Sequence, residues 1–224
     1  ALYQGSKPVI WSPVKKTALA EAEVEYHDHT SHQVWVKFRV IEWQGGGADW
    51  VGNVIDDNKI TPENYELFRE RIGAVKDASV VIWTTTPWTI PQNRAVAFGP
   101  SIAYGLYRVS EADEKATVTV GETVLLADAL AEGVMASAKV TGYEKLRAVS
   151  ADELSGLVLA HPFRGVAEGM GEWDYDVPML PGDHVTDEAG TGFVHTAPSH
   201  GDDDYVLGQK HGLKMTYHVE PDGS

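Results

Sequence analysis

Apolar residues fall at Val34, Val36, Phe38 and Val40, with Lys37 and Arg39 between them, and this period of two predicts a strand over 34–41. The run Ser79–Trp83 is continuously apolar after its serine and predicts a buried strand. Shorter stretches at Ala95–Phe98, Ile102–Val109, Ala116–Val120, Lys139–Ser150, Val177–Leu180, His184–Val185 and Phe193–Thr196 predict further strands. Helical spacing is scarcer. Thr61 as N-cap and Pro62 at the first helical position open a helix with the stripe Tyr65, Phe68 and Ile72, and Gly73 is expected to end it. A second helix is expected over Glu122–Glu132, closed by Gly133, and a short helical turn over Ala151–Leu154. Asp202–His211 begins with three acids, ends on basic residues and is followed by Gly212, which suits a helix and its dipole. Gly45–Gly47 reads as a flexible loop. Many short strands with few helices predict a mainly β chain of the α+β kind, with a β-barrel-like core decorated by short helices.

Composition narrows the class. A chain of 224 residues, 43% apolar, can bury one substantial core as a single domain. No apolar run approaches the roughly 20 residues of a membrane span, and the N-terminus lacks a secretory pattern. The chain contains no cysteine, so it has no disulfide and no thiolate zinc site, which fits a cytoplasmic protein. The net charge of −15 argues against an autonomous RNA-binding module, because phosphate neutralisation drives such binding. It is compatible with a domain that handles only the end of an RNA anchored elsewhere. Lys7, Lys15, Lys16, Arg94 and Arg164 are either local phosphate contacts or solvated surface charge. Residues 1–20 lack periodicity and contain Pro8 and Pro13, which predicts an extended connector. With a second connector expected at 219–224, the domain proper is expected to span 21–218.

Two polar stretches carry the candidate chemistry. The first is Trp83-Thr84-Thr85-Thr86-Pro87-Trp88-Thr89-Ile90-Pro91-Gln92-Asn93. The second runs Gly190-Thr191-Gly192-Phe193-Val194-His195-Thr196-Ala197-Pro198-Ser199-His200-Gly201-Asp202-Asp203-Asp204-Tyr205. Each begins on an apolar run and breaks into hydroxyls, amides, imidazoles or carboxylates where Pro and Gly fix the backbone, as a strand does at a pocket rim. Threonine favours strands, so the Thr84–Thr86 cluster has a structural explanation beside its reading as short donors and acceptors around a ribose, an ester carbonyl or a water. His195 can equally be a satisfied structural histidine, and Asp202 to Asp204 a solvated helix start. His27, His29 and His32 lie in a polar stretch and read as surface residues. The chain has no GxSxG elbow, nucleophilic cysteine or phosphate-binding GKS/T loop, so covalent catalysis and nucleotide hydrolysis have no visible machinery.

The pair TTTPWTxPxN and GTGxVHTAPxHGxDDY resembles the editing domain of isoleucyl-tRNA synthetase, a class I aminoacyl-tRNA synthetase, and the resemblance covers nearly the whole chain. KPVIWSPVKKTALAEAEVEY, at 7–26, is similar to the segment that enters that domain from the synthetase body. Valyl and leucyl relatives usually carry Arg at the position of Thr86, so Thr86-Pro87-Trp88-Thr89 favours the isoleucyl branch. The resemblance implies a barrel-like proofreading domain, an aminoacyl-tRNA ester hydrolase within an isoleucine-tRNA ligase. It would hydrolyse valine from the 3′ end of isoleucine tRNA and clear valyl-adenylate. It implies that Trp83, Thr84, Thr85, Thr86, Asn93, His195 and Asp204 bind substrate, with Asp204 and the three threonines also placed at the chemistry. Asp204 would anchor the α-ammonium, His195 would gauge the amino-acid side chain, and Thr84 to Thr86 with Asn93 would hold the terminal adenosine or the water. The partners implied are the charged tRNA end and the remainder of the synthetase chain. No cofactor or metal is expected in this domain, and ATP and Mg only in the full-length synthetase.

Two rival classes stay open on the residues alone. His200, His211 and the aspartates have side chains that suit Zn or Mn, which would make a metal-dependent hydrolase, although their spacing matches no strong metal motif. A non-catalytic domain that docks the tRNA 3′ end is the other.

Overall fold

The computed structural model describes residues 9–28, 30–44 and 73–224. Two short strands, β1 (Trp11–Ser12) and β2 (Thr17–Ala18), pair antiparallel as a hairpin apart from the main sheet. The alternation at 34–41 forms β3 (Val34–Trp43), two residues longer than predicted, with Phe38 and Val40 buried. It lies antiparallel to β4 (Ser79–Thr84), in a register that sets Val34 opposite Thr84 and Trp35 opposite Trp83. The remaining strands are β5 (Ala95–Phe98), β6 (Tyr104–Ala112), β7 (Thr123–Ala127), β8 (Val140–Val149), β9 (Leu157–Ala160), β10 (Asp176–Pro181) and β11 (Phe193–Thr196). They join β3 and β4 in a nine-stranded sheet ordered β11-β5-β10-β9-β3-β4-β7-β6-β8. Pairing is antiparallel except between β10 and β5 and between β4 and β7. Among the described residues beyond the helical stretch at 73–75, three short α-helices accompany the sheet: α1 (Ala131–Ser137), α2 (Ala151–Ser155) and α3 (Asp202–His211). Among the described residues, no helix is long and apolar enough to cross a membrane.

The fold is thus mainly β with few short helices. Among the described residues its sheet is open, with edges at β11 and β8 and no ladder that closes it. The sheet curls until β11 lies against β4, two strands that share no ladder. The turn before β11 stitches this seam. Ala127 N–H donates to Thr191 O at 2.9 Å, and the Tyr104 hydroxyl donates to Gly192 O at 2.7 Å. Gly192 has φ of +81°, and a Cβ there would stand 2.3 Å from the Ala127 Cβ, so this close approach requires glycine. Phe38, Phe98, Ile82, Leu106, Leu125 and Leu159 form the centre of the core, each at most 1% exposed. The Tyr104 and Phe193 rings stack across it with centroids 4.6 Å apart.

Several expectations are corrected. Ala116–Val120 is turn and bend, because Asp113 folds the chain back: it accepts Ala116 N–H on its carbonyl and Lys115 N–H on its carboxylate. The helix expected over Glu122–Glu132 is instead β7, a turn, and the start of α1. Val124, Leu125, Leu126 and Ala127 are all buried in a strand covered on both faces, so they show no alternation. Gly133 lies inside α1, and the chain leaves that helix at Lys139, in the left-handed conformation with φ of +59°. His184–Val185 is a turn, with Val185 N–H returning to Gly182 O. Gly73 does not end a helix, since 73–75 are helical, and the Thr61 start, the Tyr65, Phe68 and Ile72 stripe and the Gly45–Gly47 loop lie outside the described residues. Strand β9 and the 3₁₀ segment Pro87–Gln92 were not anticipated. By contrast α2 carries a full capping box, with Ser150 and Glu153 exchanging backbone-to-side-chain bonds of 3.2 and 2.9 Å.

Candidate functional site

The threonine stretch sits where β4 runs out of ladder. Thr84 is its last residue and is buried, while Thr85 and Thr86 are exposed. Thr84 Oγ1 accepts Thr86 N–H at 3.0 Å and lies 3.1 Å from Thr86 Oγ1, so one hydroxyl turns the chain off the strand. Ser31 Oγ donates to Thr85 O at 2.7 Å and fixes the turn from outside. Pro87 then starts the 3₁₀ segment at its first position, where the missing N–H costs nothing. Trp83, expected with the threonines, faces away from Thr84, as successive residues of a strand must. Its indole N–H donates to Gln33 Oε1 at 3.1 Å, and its ring lines a separate cleft of about 370 Å³ with Trp35 and Gly190.

The 3₁₀ segment delivers Thr89 and Asn93 to the His195 ring, which β11 holds opposite Val96 of β5. The hydrogen-bond directions are determined. Thr89 donates its hydroxyl to Thr86 O at 2.8 Å, so it must accept from His195 Nε2–H at 2.9 Å. Asn93 Nδ2 donates to Ala95 O at 2.7 Å and to His195 Nδ1 at 3.1 Å. The ring is therefore a neutral Nε2–H tautomer with both nitrogens engaged. Burial pushes its pKa down to about 4, with smaller contributions from His200 and His161. Such a ring is a fixed wall rather than a proton carrier. Asn93, expected to hold the terminal adenosine or the water, is fully buried and has both amide hydrogens committed, so it acts on His195.

Beyond β11 the chain turns through Pro198 and Ser199 into α3. The helix N-cap is Gly201, with no side-chain cap, and Asp202 and Asp203 are exposed in the first turn. Asp204 is half-buried and reaches back out of the helix, where its Oδ2 accepts Ala197 N–H at 2.8 Å. It therefore tethers α3 to the end of β11, two residues from His195, and does not cap its own helix. Burial raises the Asp204 pKa above the usual carboxylate value, opposed by the Ala197 N–H and by His184. A carboxylate held half-desolvated with one oxygen engaged is suited to a cationic partner on the other.

A cleft of about 650 Å³ opens beside these elements, walled by Trp11, Trp88, Gln92, Ser199, His200 and Tyr217. Gln92 Oε1, Ser199 Oγ and His200 Nε2 are buried atoms without a hydrogen-bond partner, and their residues line this cleft. Sequence reading did not single out Gln92 or Ser199; their place beside the prolines of the two motifs was the available signal. The two chain ends meet here too: Trp11 Nε1 donates to Pro221 O at 2.8 Å, and Lys16 pairs with Asp222 at 3.3 Å. Both lysine and aspartate are half-exposed, so the pair adds little to stability. Among the described residues, no three His, Cys, Asp or Glu side chains gather as a metal-binding set, and His211 is exposed at the far end of α3.

The structure thus brings together Thr89, Asn93 and His195 in one buried network, joins it through Thr86 O to the Thr84–Thr86 hydroxyl pair at the end of β4, and sets Asp204 at the exit of the strand carrying His195. This arrangement occurs in a chain with extensive kinship. It is 51% identical to isoleucine–tRNA ligase of Bradyrhizobium diazoefficiens over 204 residues, 91% of this chain and 17% of that protein. It is 45% identical to the Caulobacter vibrioides isoleucine–tRNA ligase over 228 residues, 100% of this chain and 20% of that protein. The chain therefore spans about a fifth of the length of these relatives. In fold it is similar to the P. knowlesi cytosolic leucyl-tRNA synthetase editing domain, with a TM-score of 0.53 and 13% identity, covering 82% of this chain and 64% of that one. The family model for class I tRNA synthetases (I, L, M and V) matches residues 1–207, and the chain belongs to that family.

Proposed function

We propose that this domain hydrolyses the ester of isoleucine tRNA mischarged with valine, as the proofreading site of an isoleucine–tRNA ligase. The observation that carries the proposal is the His195 ring, locked neutral by Thr89 and Asn93 on the strand whose exit the half-buried carboxylate of Asp204 holds through Ala197 N–H. An aminoacyl ester presents an ammonium and a side chain on one carbon, and a carboxylate and a fixed ring are the chemistry that recognises these two groups. Asp204 takes the ammonium. His195 admits valine and excludes isoleucine, which is one methylene larger. A synthetic site separates the two by only about 1–3 kcal/mol, a limit for which this amino-acid pair is itself a known instance, so a second and smaller pocket is needed. Water attacks the ester carbonyl without a covalent enzyme intermediate, oriented by Thr84 and Thr86 hydroxyls and by the terminal ribose. Both His195 nitrogens are engaged, so the ring does not take the proton. The same pocket would clear valyl-adenylate. ATP and Mg are needed only by the rest of the synthetase chain.

The test is deacylation of isoleucine tRNA carrying valine or isoleucine, measured side by side. The chain is expected to release valine and spare isoleucine; equal rates on both esters contradict the size gauge, and no release of either leaves tRNA docking as the reading. His195→Ala should open the pocket and move the rate ratio toward isoleucine, with the fold checked by circular dichroism. An unmoved ratio would assign His195 to packing alone. Hydrolysis is also expected to survive exhaustive chelation. Loss on chelation with recovery in Zn or Mn would favour a metal hydrolase.

A further inference from the structure

Behind the 3₁₀ segment lies a buried polar cluster that the chemistry above does not use. His161 is 2% exposed and sits among the rings of Phe163, Trp173 and Tyr175, with centroids 5.5, 6.2 and 5.4 Å away. Its Nδ1 accepts Phe163 N–H at 3.1 Å, so the proton is on Nε2, which donates to Ile90 O at 2.9 Å. Trp173 Nε1 donates to Pro91 O at 3.0 Å, and the Tyr175 hydroxyl donates to Asn93 O at 2.5 Å. The Arg94 guanidinium carbon stands 4.4 Å over the Tyr175 ring and holds it from the other side.

Three donors from one cluster therefore grip three carbonyls within four residues. That stretch is poorly held by its own backbone. A 3₁₀ turn has strained hydrogen-bond geometry, and Pro91 removes one N–H from it. At its ends Thr89 N–H donates to Thr86 O and Asn93 N–H to Ile90 O, both 3.0 Å. Yet this stretch places Thr89 and Asn93, the two residues that set the angle of the His195 ring. We propose that His161, Trp173 and Tyr175 are positioning residues: by fixing the backbone at 90–93 they hold the His195 ring in one orientation without touching substrate. On the reading of the domain as a valine-selective ester hydrolase, on which this consequence rests, they set the selectivity between valine and isoleucine.

The test uses Trp173→Phe and Tyr175→Phe, which keep an aromatic ring and delete one donor each. Phe163→Leu serves as the control, since it disturbs the same packing and removes no donor to 90–93. Two readouts are taken: the imidazole nitrogen and Nε2–H signals of His195 by NMR, and the isoleucyl-to-valyl deacylation ratio. Both donor deletions are expected to shift the His195 signals and speed Nε2–H exchange. They should raise the isoleucyl-to-valyl ratio on the order of three- to ten-fold, the loss of one hydrogen bond. Phe163→Leu should lower the melting temperature and leave both readouts near wild type. Unchanged His195 signals in both donor deletions would overturn the proposal whatever the activity. Moved signals with an unmoved ratio, in a chain that does discriminate, would overturn the selectivity part. Moved signals in a chain whose wild type hydrolyses both esters equally would uphold the positioning and bring down the hydrolase reading alone.

Discussion

Asp204→Ala is expected to lose nearly all deacylation of the valyl ester. Asp204 is half-buried, and one of its oxygens is already engaged by Ala197 N–H. If the other oxygen meets the substrate ammonium, deleting it removes one partner of a desolvated charged hydrogen bond. Such losses run to about 2–5 kcal/mol. That is on the order of 30- to several-thousand-fold in kcat/KM. The alanine variant also frees Ala197 N–H and loosens α3 from β11, so its defect has a structural component. Asp204→Asn separates the two. Its amide oxygen can still accept Ala197 N–H, and it keeps the shape and loses the charge. It is expected to melt close to wild type and yet hydrolyse almost as poorly as the alanine variant. Asp202→Ala, in the exposed first turn, should cost a few tenths of a kcal/mol in stability and leave the rate near wild type. An Asp204→Asn protein with normal rates would mean that Asp204 serves only to tie the helix to the strand.

The carboxylate also gives the rate a pH dependence of fixed sign. Its pKa is raised by burial, so in the free domain the ionised form that binds the ammonium is lost earlier on acidification than for an exposed carboxylate. Deacylation should therefore rise with pH through that raised value.

The sheet was legible where one face of a strand meets solvent or where the motif itself marks the end. β3 shows its alternation, β11 carries GTG before it, and α3 displays acids, bases and Gly212 in order. The reading fails where burial is two-sided and neither motif adjoins the strand. Val124 to Ala127 are buried in sequence, and a run of that length carries no period, so helix and strand look alike at β7. Leu157–Ala160 is another such strand, four residues long and fully buried, with no period to mark it. The site shows the same division. The two motifs are visible as residues, but their meeting is not. His195 joins Thr89 and Asn93 across sequence separations of 106 and 102, and the pairing of β11 with β5, which starts just after Asn93, creates those contacts. The alternation along a strand already implied that Trp83 and Thr84 diverge, and that implication was available from the sequence. The burial of Asn93 was not, because it depends on Tyr175 and Trp173 arriving from a segment with no motif of its own.

Acidification from pH 7 to pH 4 is expected to destabilise the chain strongly, and through two rings in particular. Burial depresses both His161 and His195 to about 4. In the unfolded chain each titrates near 6.5. Between those values the unfolded state binds more protons than the folded state, so stability rises with pH across the window and is lost as pH falls through it. Each ring contributes roughly 3 kcal/mol by pH 4, against a typical total of 5–15 kcal/mol. The charges around them do not rescue the protonated forms. Arg94 and Arg164 face His161 and outweigh Glu172, while His200 faces His195. Asp204 acts with the opposite sign, since a raised carboxyl pKa favours the folded state on the acid side, and it offsets part of the loss. The measurement is urea unfolding at pH 7, 5.5 and 4.5. The wild-type midpoint should fall steadily over this range, whereas His161→Gln and His195→Gln, less stable at pH 7, should each fall less. A wild-type midpoint that is flat from pH 7 to 4.5 would mean that the rings accept protons in place. In that case the tautomers fixed by Ile90 O and Asn93 Nδ2 would not be the ones that hold the site together.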